Sequence, residues 1–275
     1  MSIVLSDGDF RSRERVTEVQ IFEAAGLPLM HPAEADVFAR QLDIPGHRQE
    51  ALEDARVLVV GAGGLGSWTG VALIRSGVRH LTIVEPDSFE RTNAARQLMF
   101  KDDLGQPKAI AVARNLVPHA PAPAQITAIP CEFEEAVRRF ALPADVVLLL
   151  VDNNACRLAG AQFARRRGIP AVFAMLSADA MRAHVFLQGP QPTDACIHCA
   201  LPNLDPDGSM PCVSAIITSC LLAAAYATVF VHRALMGWPE GVDPFNWREA
   251  DLLGVAPERT GRVQQRSGCP TCSTV

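Results

Sequence analysis

One stretch limits the choice of folds more than any other: ARVLVVGAGGLGSWTGVALIRSGV, residues 55–78. An apolar run ends in glycines and passes into a segment with helical spacing, the pattern of a strand, a tight turn and a helix. Gly61, Gly63 and Gly66 stand at the spacing G-x-G-x-x-G. Glycines there let the backbone come close to a bound phosphate. The first turn of the helix adds N–H donors and the positive end of its dipole. A second strand, HLTIVE, ends at Glu85, 24 residues beyond Gly61, where an acid can receive ribose hydroxyls. The turn and the acid describe an adenine-nucleotide site, with NAD and ATP both open.

The rest of the chain repeats the alternation. QPKAIAVARNLVPHA reads as a helix up to Pro118, QITAIPC as a strand, EFEEAVRRFA as a short helix, and ADVVLLLVD as a buried parallel strand. NNACRLAGAQFARRRG and IPAVFAML add one more helix and strand. The expected fold is therefore α/β, a Rossmann-like, mostly parallel sheet flanked by helices. Residues 1–35 read as an N-terminal extension, with a helix around RERVTEVQIFEAAG ended by Gly26 and Pro28. Residues 36–275 read as one domain, opening on a helical EADVFARQL. Beyond residue 180 come an added strand, AHVFLQ, a Cys- and Pro-rich loop over 189–212, and a long helix.

With 49% hydrophobic and 20% charged residues the chain is globular, and a net charge of −5 weighs against nonspecific nucleic-acid binding. The N-terminus carries no basic-then-apolar signal pattern, so a cytoplasmic location is expected. CVSAIITSCLLAAAYATVFV, residues 212–231, is uncharged and about as long as a membrane span. Its Ala, Ser and Thr content fits a helix buried in a core or a dimer interface instead, and no membrane is expected as a partner. Only Lys101 and Lys108 are lysines among 25 basic residues, which makes Lys108 conspicuous.

Arg96, Lys108 and the strand-end Asp152 all fall near the carboxyl edge of such a sheet. Hydride transfer has little use for that set. Phosphoryl chemistry does, because cations offset charge developing on phosphates and a carboxylate can hold Mg²⁺ against them. Asp152 could equally cap the following helix, and Arg96 could be a solvated loop cation. Four of the eight cysteines form two C-x-x-C pairs, Cys196/Cys199 and Cys269/Cys272, separated by 69 residues. Two such knuckles complete a closed tetrahedral Zn²⁺ site that staples the C-terminal region to an earlier loop. Four thiolates fill that site and leave out His198. Cys212, ahead of the long helix, is placed for a lowered thiol pKa. Cys131, Cys156 and Cys220 read as packing residues.

Together these residues resemble the ThiF/MoeB family, the adenylation module of ubiquitin-activating enzymes. The resemblance runs from about Ala39 to Cys272 and rests on ARQL with QEALEDARVLVVGAGGLGS, on VEPDSFERTNAARQ, GQPKA and VDNNACR, and on the paired knuckles. It implies that Glu85 binds the ATP ribose, that Asn93, Arg96 and Lys108 meet the phosphates, and that Asp152 holds Mg²⁺ with Arg157 beside it. It puts Gly64, Asp87 and Gln97 in the same nucleotide site. Arg40 is similar to an arginine that family dimers donate to the partner's site, so a homodimer is implied. The implied substrate is the C-terminal glycine carboxylate of a small ubiquitin-like or sulfur-carrier protein. Cys212 matches a crossover-loop cysteine that some members use to receive the activated acyl group. That residue and the scarcity of lysines lean toward a conjugation cascade, with a conjugating enzyme downstream. Glu85 departs from the family's aspartate by one methylene. Sulfur-carrier activation stays open, as do adenylation of a peptide or a tRNA base, an NAD-dependent oxidoreductase, and a noncatalytic scaffold.

Overall fold

The computed structural model describes residues 18–28, 36–205, 215–237, 245–254 and 256–272. Apolar and β-branched runs build the centre of its sheet: β2 (Arg56–Val60), β3 (His80–Val84), β4 (Ala124–Ile129), β5 (Val146–Leu149) and β6 (Ala171–Leu176). β5 is buried along its whole length, as an inner parallel strand covered on both faces must be. These five run parallel in the order β4-β3-β2-β5-β6. The chain leaves β2 toward β3 and later returns to its other side as β5. The strand order thus reverses between β2 and β5, where sheets of this kind open a crevice at the carboxyl ends.

Helices fill both faces. α3 (Gly64–Ser76) and α4 (Lys108–Leu116) share one core with the long α8 (Ile217–Met236), in which Leu73, Ile74, Leu116, Ala227 and Phe230 are buried. On the opposite face α5 (Phe133–Arg139) and α6 (Asn154–Arg167) cover Leu58, Val147 and Phe173. α8 is apolar over most of its length up to Val231 because it lies between α3 and the β6–β7 part of the sheet. Its Cys220, Ala223 and Val231 are buried in the protein, while Leu221 stays 43% exposed.

The N-terminal part differs from expectation. Residues Gln20–Ala24, read as helical, form β1, which pairs antiparallel with β4 from Gln20↔Ala128 to Ala24↔Ala124. The open edge of β4 offers a row of backbone partners, and that overrides a weak local helical preference. The start of the expected helix lies outside the described residues. EADVFARQL yields only α1 (Ala39–Leu42), followed by α2 (Gln49–Glu53). Among its described residues the Cys-rich loop contains a single helical turn, α7 (Ile197–Ala200). β7 (Arg182–Gln188), β8 (Trp247–Asp251) and β9 (Arg259–Gly261) extend the sheet antiparallel beyond β6, to nine strands among the described residues. Neither β8 nor β9 was expected, since each is short, polar and visible only through its pairing.

Candidate active site

At the reversal point the glycine turn is shaped by what lies behind it. Gly61 has φ +98°, and a Cβ there would sit 2.6 Å from the carbonyl oxygen of Leu150 on the neighbouring strand segment. A Cβ on Gly66 would come within 1.8 Å of the oxygen of Gly61. Gly63 is different: the nearest atom, Nε2 of Gln97, is 3.8 Å from where its Cβ would be. Nothing among the described residues requires glycine at 63, so the requirement points outward, to something that approaches the backbone.

That something has a cleft of about 560 Å³. Gly61, Gly63, Gly64, Glu85, Asp87, Asn93, Arg96, Gln97, Lys108, Asp152 and Arg157 line it together, from four separate strand ends and loops. Gly66 sits behind the turn. Arg40, on α1, is not among the lining residues, and Cys212 lies outside the described residues.

Glu85 is 8% exposed, and both its carboxylate oxygens are engaged. Oε2 accepts from the Ala62 N–H at 2.8 Å and Oε1 from the Asp87 N–H at 3.0 Å, so the acid braces the glycine turn to the following loop. Burial pushes its pKa up, against the pull of the Ala62 N–H and of the Lys108 charge. Lys108 opens α4 with its side chain nearly buried, and its ammonium donates to Asp87 Oδ2 at 2.9 Å. The backbone repeats the link, Lys108 N–H donating to Asp87 O at 2.8 Å. Asp87 therefore positions the lysine.

Asn93 closes a turn over Arg91–Asn93 by accepting the Glu90 N–H at 2.9 Å. That turn sets the direction of Arg96, whose Nη1 donates to Thr92 O at 2.9 Å while its own carbonyl accepts from Trp68 Nε1 at 3.0 Å. Across the cleft Asp152 is exposed at the end of β5, and it is Asn153 that caps α6 by accepting the Cys156 N–H at 3.1 Å. The alternative reading of Asp152 as the cap is thereby set aside, leaving its carboxylate on the cleft. Arg157 is 7% exposed and donates to Val151 O at 2.5 Å and Asn154 Oδ1 at 2.7 Å. Burial lowers its pKa and the Asp152 charge opposes that.

Two residues read only as packing, Cys156 and Cys220, also line the cleft. Burial pushes the Cys156 thiol up to about 12, with Glu134 and Glu132 adding to it, and burial raises Cys220 against Arg96. Neither is an activated nucleophile at neutral pH. Their place on the wall had no signature in sequence, because it depends on which face of α6 and α8 meets the cleft.

Far along the sheet, the sulfurs of Cys196, Cys199, Cys269 and Cys272 all lie within 4.8 Å of one another. Individual separations are 3.8 Å for Cys196–Cys199, 3.5 Å for Cys196–Cys269 and 3.6 Å for Cys199–Cys272. Four ligands at a Zn–S bond length of about 2.3 Å stand about 3.8 Å apart, so this cage fits Zn²⁺ in size and donor type. The backbone N–H of Arg266 donates to Cys199 Sγ at 3.4 Å, support of the kind that thiolate ligands receive. His198 turns away to Thr271 Oγ1 at 3.1 Å, consistent with its omission from the ligand set.

Residues 38–271 match the ThiF family. The chain belongs to the ThiF family. A sulfur carrier protein adenylyltransferase of Thermus thermophilus is 31% identical over 74% of this chain and 77% of its own. The sulfur carrier protein ThiS adenylyltransferase of Bacillus subtilis is 28% identical over 82% of this chain and 67% of its own. The molybdopterin-synthase adenylyltransferase of Escherichia coli is 31% identical over 68% and 73%. Among solved structures, E. coli MccB with ATP superposes with a TM-score of 0.68 at 20% identity, over 82% of this chain and 69% of that one. That last likeness is one of ThiF fold.

Proposed function

We propose that this ThiF-family protein adenylates the C-terminal glycine carboxylate of a small sulfur-carrier protein. The observation that carries the reading is the cleft at the strand reversal, where the glycine turn, Arg96, Lys108, Asp152 and Arg157 converge on one volume. A carboxylate oxygen of the carrier attacks the α-phosphorus of ATP. The bond from that phosphorus to the bridging oxygen breaks, and pyrophosphate leaves with its electrons, giving an acyl adenylate. The role of the N–H groups opening α3 and of Arg96 and Lys108 is to offset the charge that builds on the phosphate oxygens. Glu85 fixes the ribose side through the loops it braces, and its remaining lone pairs can accept ribose hydroxyls. Asp152, with Arg157 beside it, fits the place of a Mg²⁺ ligand; bound there, the ion would neutralise phosphate charge.

The named relatives favour a sulfur carrier over the conjugation cascade that Cys212 and the lysine scarcity suggested. A thioester on Cys212 and a downstream conjugating enzyme belong to that second reading, while a homodimer that shares Arg40 and a cytoplasmic location remain parts of the proposal for experiment. A hydride-transfer reading leaves the Lys108–Asp87 pair and the Asp152 carboxylate without work.

The test is ATP–pyrophosphate exchange in the presence of a sulfur-carrier protein ending in glycine. Exchange is expected from the wild type and absent from Asp152→Ala. Full exchange in that variant would remove the Mg²⁺ assignment, and tight NADH binding without ATP binding would overturn the reading.

A further inference from the structure

The two functional regions, cleft and cysteine cage, are joined by one helix. The strap of chain that carries the first knuckle, residues 191–205, runs along α6 and is fastened to it near both ends. At the C-terminal end the buried Arg165 donates from Nη1 to Pro192 O at 2.6 Å and from Nη2 to Asp194 O at 2.8 Å. At the N-terminal end Asn154 donates from Nδ2 to Asp205 O at 3.0 Å. The strap between these fastenings contains Cys196 and Cys199.

Asn154 does a second thing. Its Oδ1 accepts from Arg157 Nη1 at 2.7 Å, so one side-chain amide holds the strap with its donor and the cleft arginine with its acceptor. Asn154 is 8% exposed and is not itself a lining residue of the cleft. Arg157 depends on this bond. Its Nε is buried and has no partner among the described residues, which leaves the bonds to Asn154 and Val151 O as the polar contacts that aim its guanidinium. A buried, partly satisfied cation is sensitive to loss of any one partner.

We propose that Asn154 is a positioning residue that couples the placement of the knuckle strap to Arg157, and through Arg157 to the Asp152 corner of the cleft. The inference rests on the adenylation reading for the meaning of that corner, and on geometry alone for the coupling. Metal held by the cage fixes the strap; the strap fixes the Asn154 amide; the amide fixes the guanidinium. A cage present only to secure the C-terminal region would make no such difference at Arg157.

Two substitutions separate the halves of the amide. Asn154→Ala loses donor and acceptor, while Asn154→Asp keeps an oxygen for Arg157 and loses the N–H to Asp205 O. With MgATP as the probe in calorimetry, Asn154→Ala is expected to weaken binding about tenfold, as loss of a supporting partner commonly does. Asn154→Asp is expected to stay within about threefold, its bond to Arg157 now between two charges. Stripping the metal with a chelator is expected to weaken MgATP about fivefold in the wild type and to leave Asn154→Asp unchanged, because its link is already cut. Equal losses in the two variants, no loss in Asn154→Ala, or equal sensitivity to stripping in wild type and Asn154→Asp would each overturn the coupling. Should stripping unfold the protein, the comparison of the two variants with metal in place decides. A wild type that binds no MgATP would overturn the adenylation reading instead. Hydrogen exchange over residues 151–158 then decides the coupling: faster exchange in Asn154→Ala than in Asn154→Asp supports it, and equal exchange overturns it.

Discussion

The glycine turn and the cysteine cage differ in how much chain it takes to make them. The turn is local: three residues, Gly61 to Gly63, between β2 and α3, with Glu85 reaching back to Ala62 N–H from just beyond the next strand. The cage joins residues 196–199 to 269–272 across the antiparallel half of the sheet, and its geometry exists only once β7, β8 and β9 have paired. The first region is held by backbone sterics that forbid side chains at Gly61 and Gly66, the second by four thiols whose spacing fits a common Zn²⁺. Damage to each should therefore look different: crowding and lost binding in the turn, lost metal and lost fold in the cage.

The largest expected effect is at the cage. Cys269→Ser removes a buried sulfur from the four; if the cage holds Zn²⁺, as its geometry fits, the variant should bind none and drop in melting temperature by about 10 °C or more, measured by metal analysis and calorimetry. An unchanged melting point would show that the antiparallel half stands without the cage. Next comes Gly66→Ala, whose added methyl meets the Gly61 oxygen at 1.8 Å. It should cost about 3 kcal/mol in denaturant unfolding, at the upper end for overpacking, and a neutral result would mean the turn yields where its geometry says it cannot.

A third test uses α8, the helix on which α3 rests. His232 is held down at about 4 by burial, with the His47 charge adding to it. Its pKa is thus lower folded than unfolded, so the unfolded chain binds the extra proton. Stability is full above the ordinary histidine value of about 6.5 and falls as pH drops toward 4, by on the order of 3 kcal/mol. Replacing it, as His232→Gln, should flatten unfolding free energy over that window; an unchanged slope would assign the acid sensitivity elsewhere. The smallest effect on stability is expected from Gly63→Ala, whose new methyl meets only an ordinary contact, Gln97 Nε2 at 3.8 Å, among the described residues. Folding should be nearly untouched while MgATP binding weakens about tenfold, because the methyl stands where a phosphate must approach. Equal damage to folding from Gly63→Ala and Gly66→Ala would erase the distinction between a glycine required by the protein and one required by its ligand.

The same contrast explains what could be read before the fold was known. The glycine turn, the parallel strands and the charged residues Glu85, Arg96, Lys108 and Asp152 on the cleft were legible because each sits within a local motif. The knuckles were legible as chemistry, though their meeting was a matter of matching two pairs. β1 was not, since Gln20–Ala24 becomes a strand only because the edge of β4 is open beside it. Nor were the roles of Asp87 and Asn154, whose side chains act through partners that the backbone brings near. Cys156 and Cys220 on the cleft wall belong to the same class: composition marks them as buried, and only the fold says beside what.

The most direct measurement of the central claim is ATP–pyrophosphate exchange with two forms of one sulfur-carrier protein, its terminal glycine carboxylate free or converted to an amide. Adenylation of that carboxylate predicts exchange with the free form, none with the amide, and loss of the former in Lys108→Ala. Exchange that persists with the amide would contradict the account.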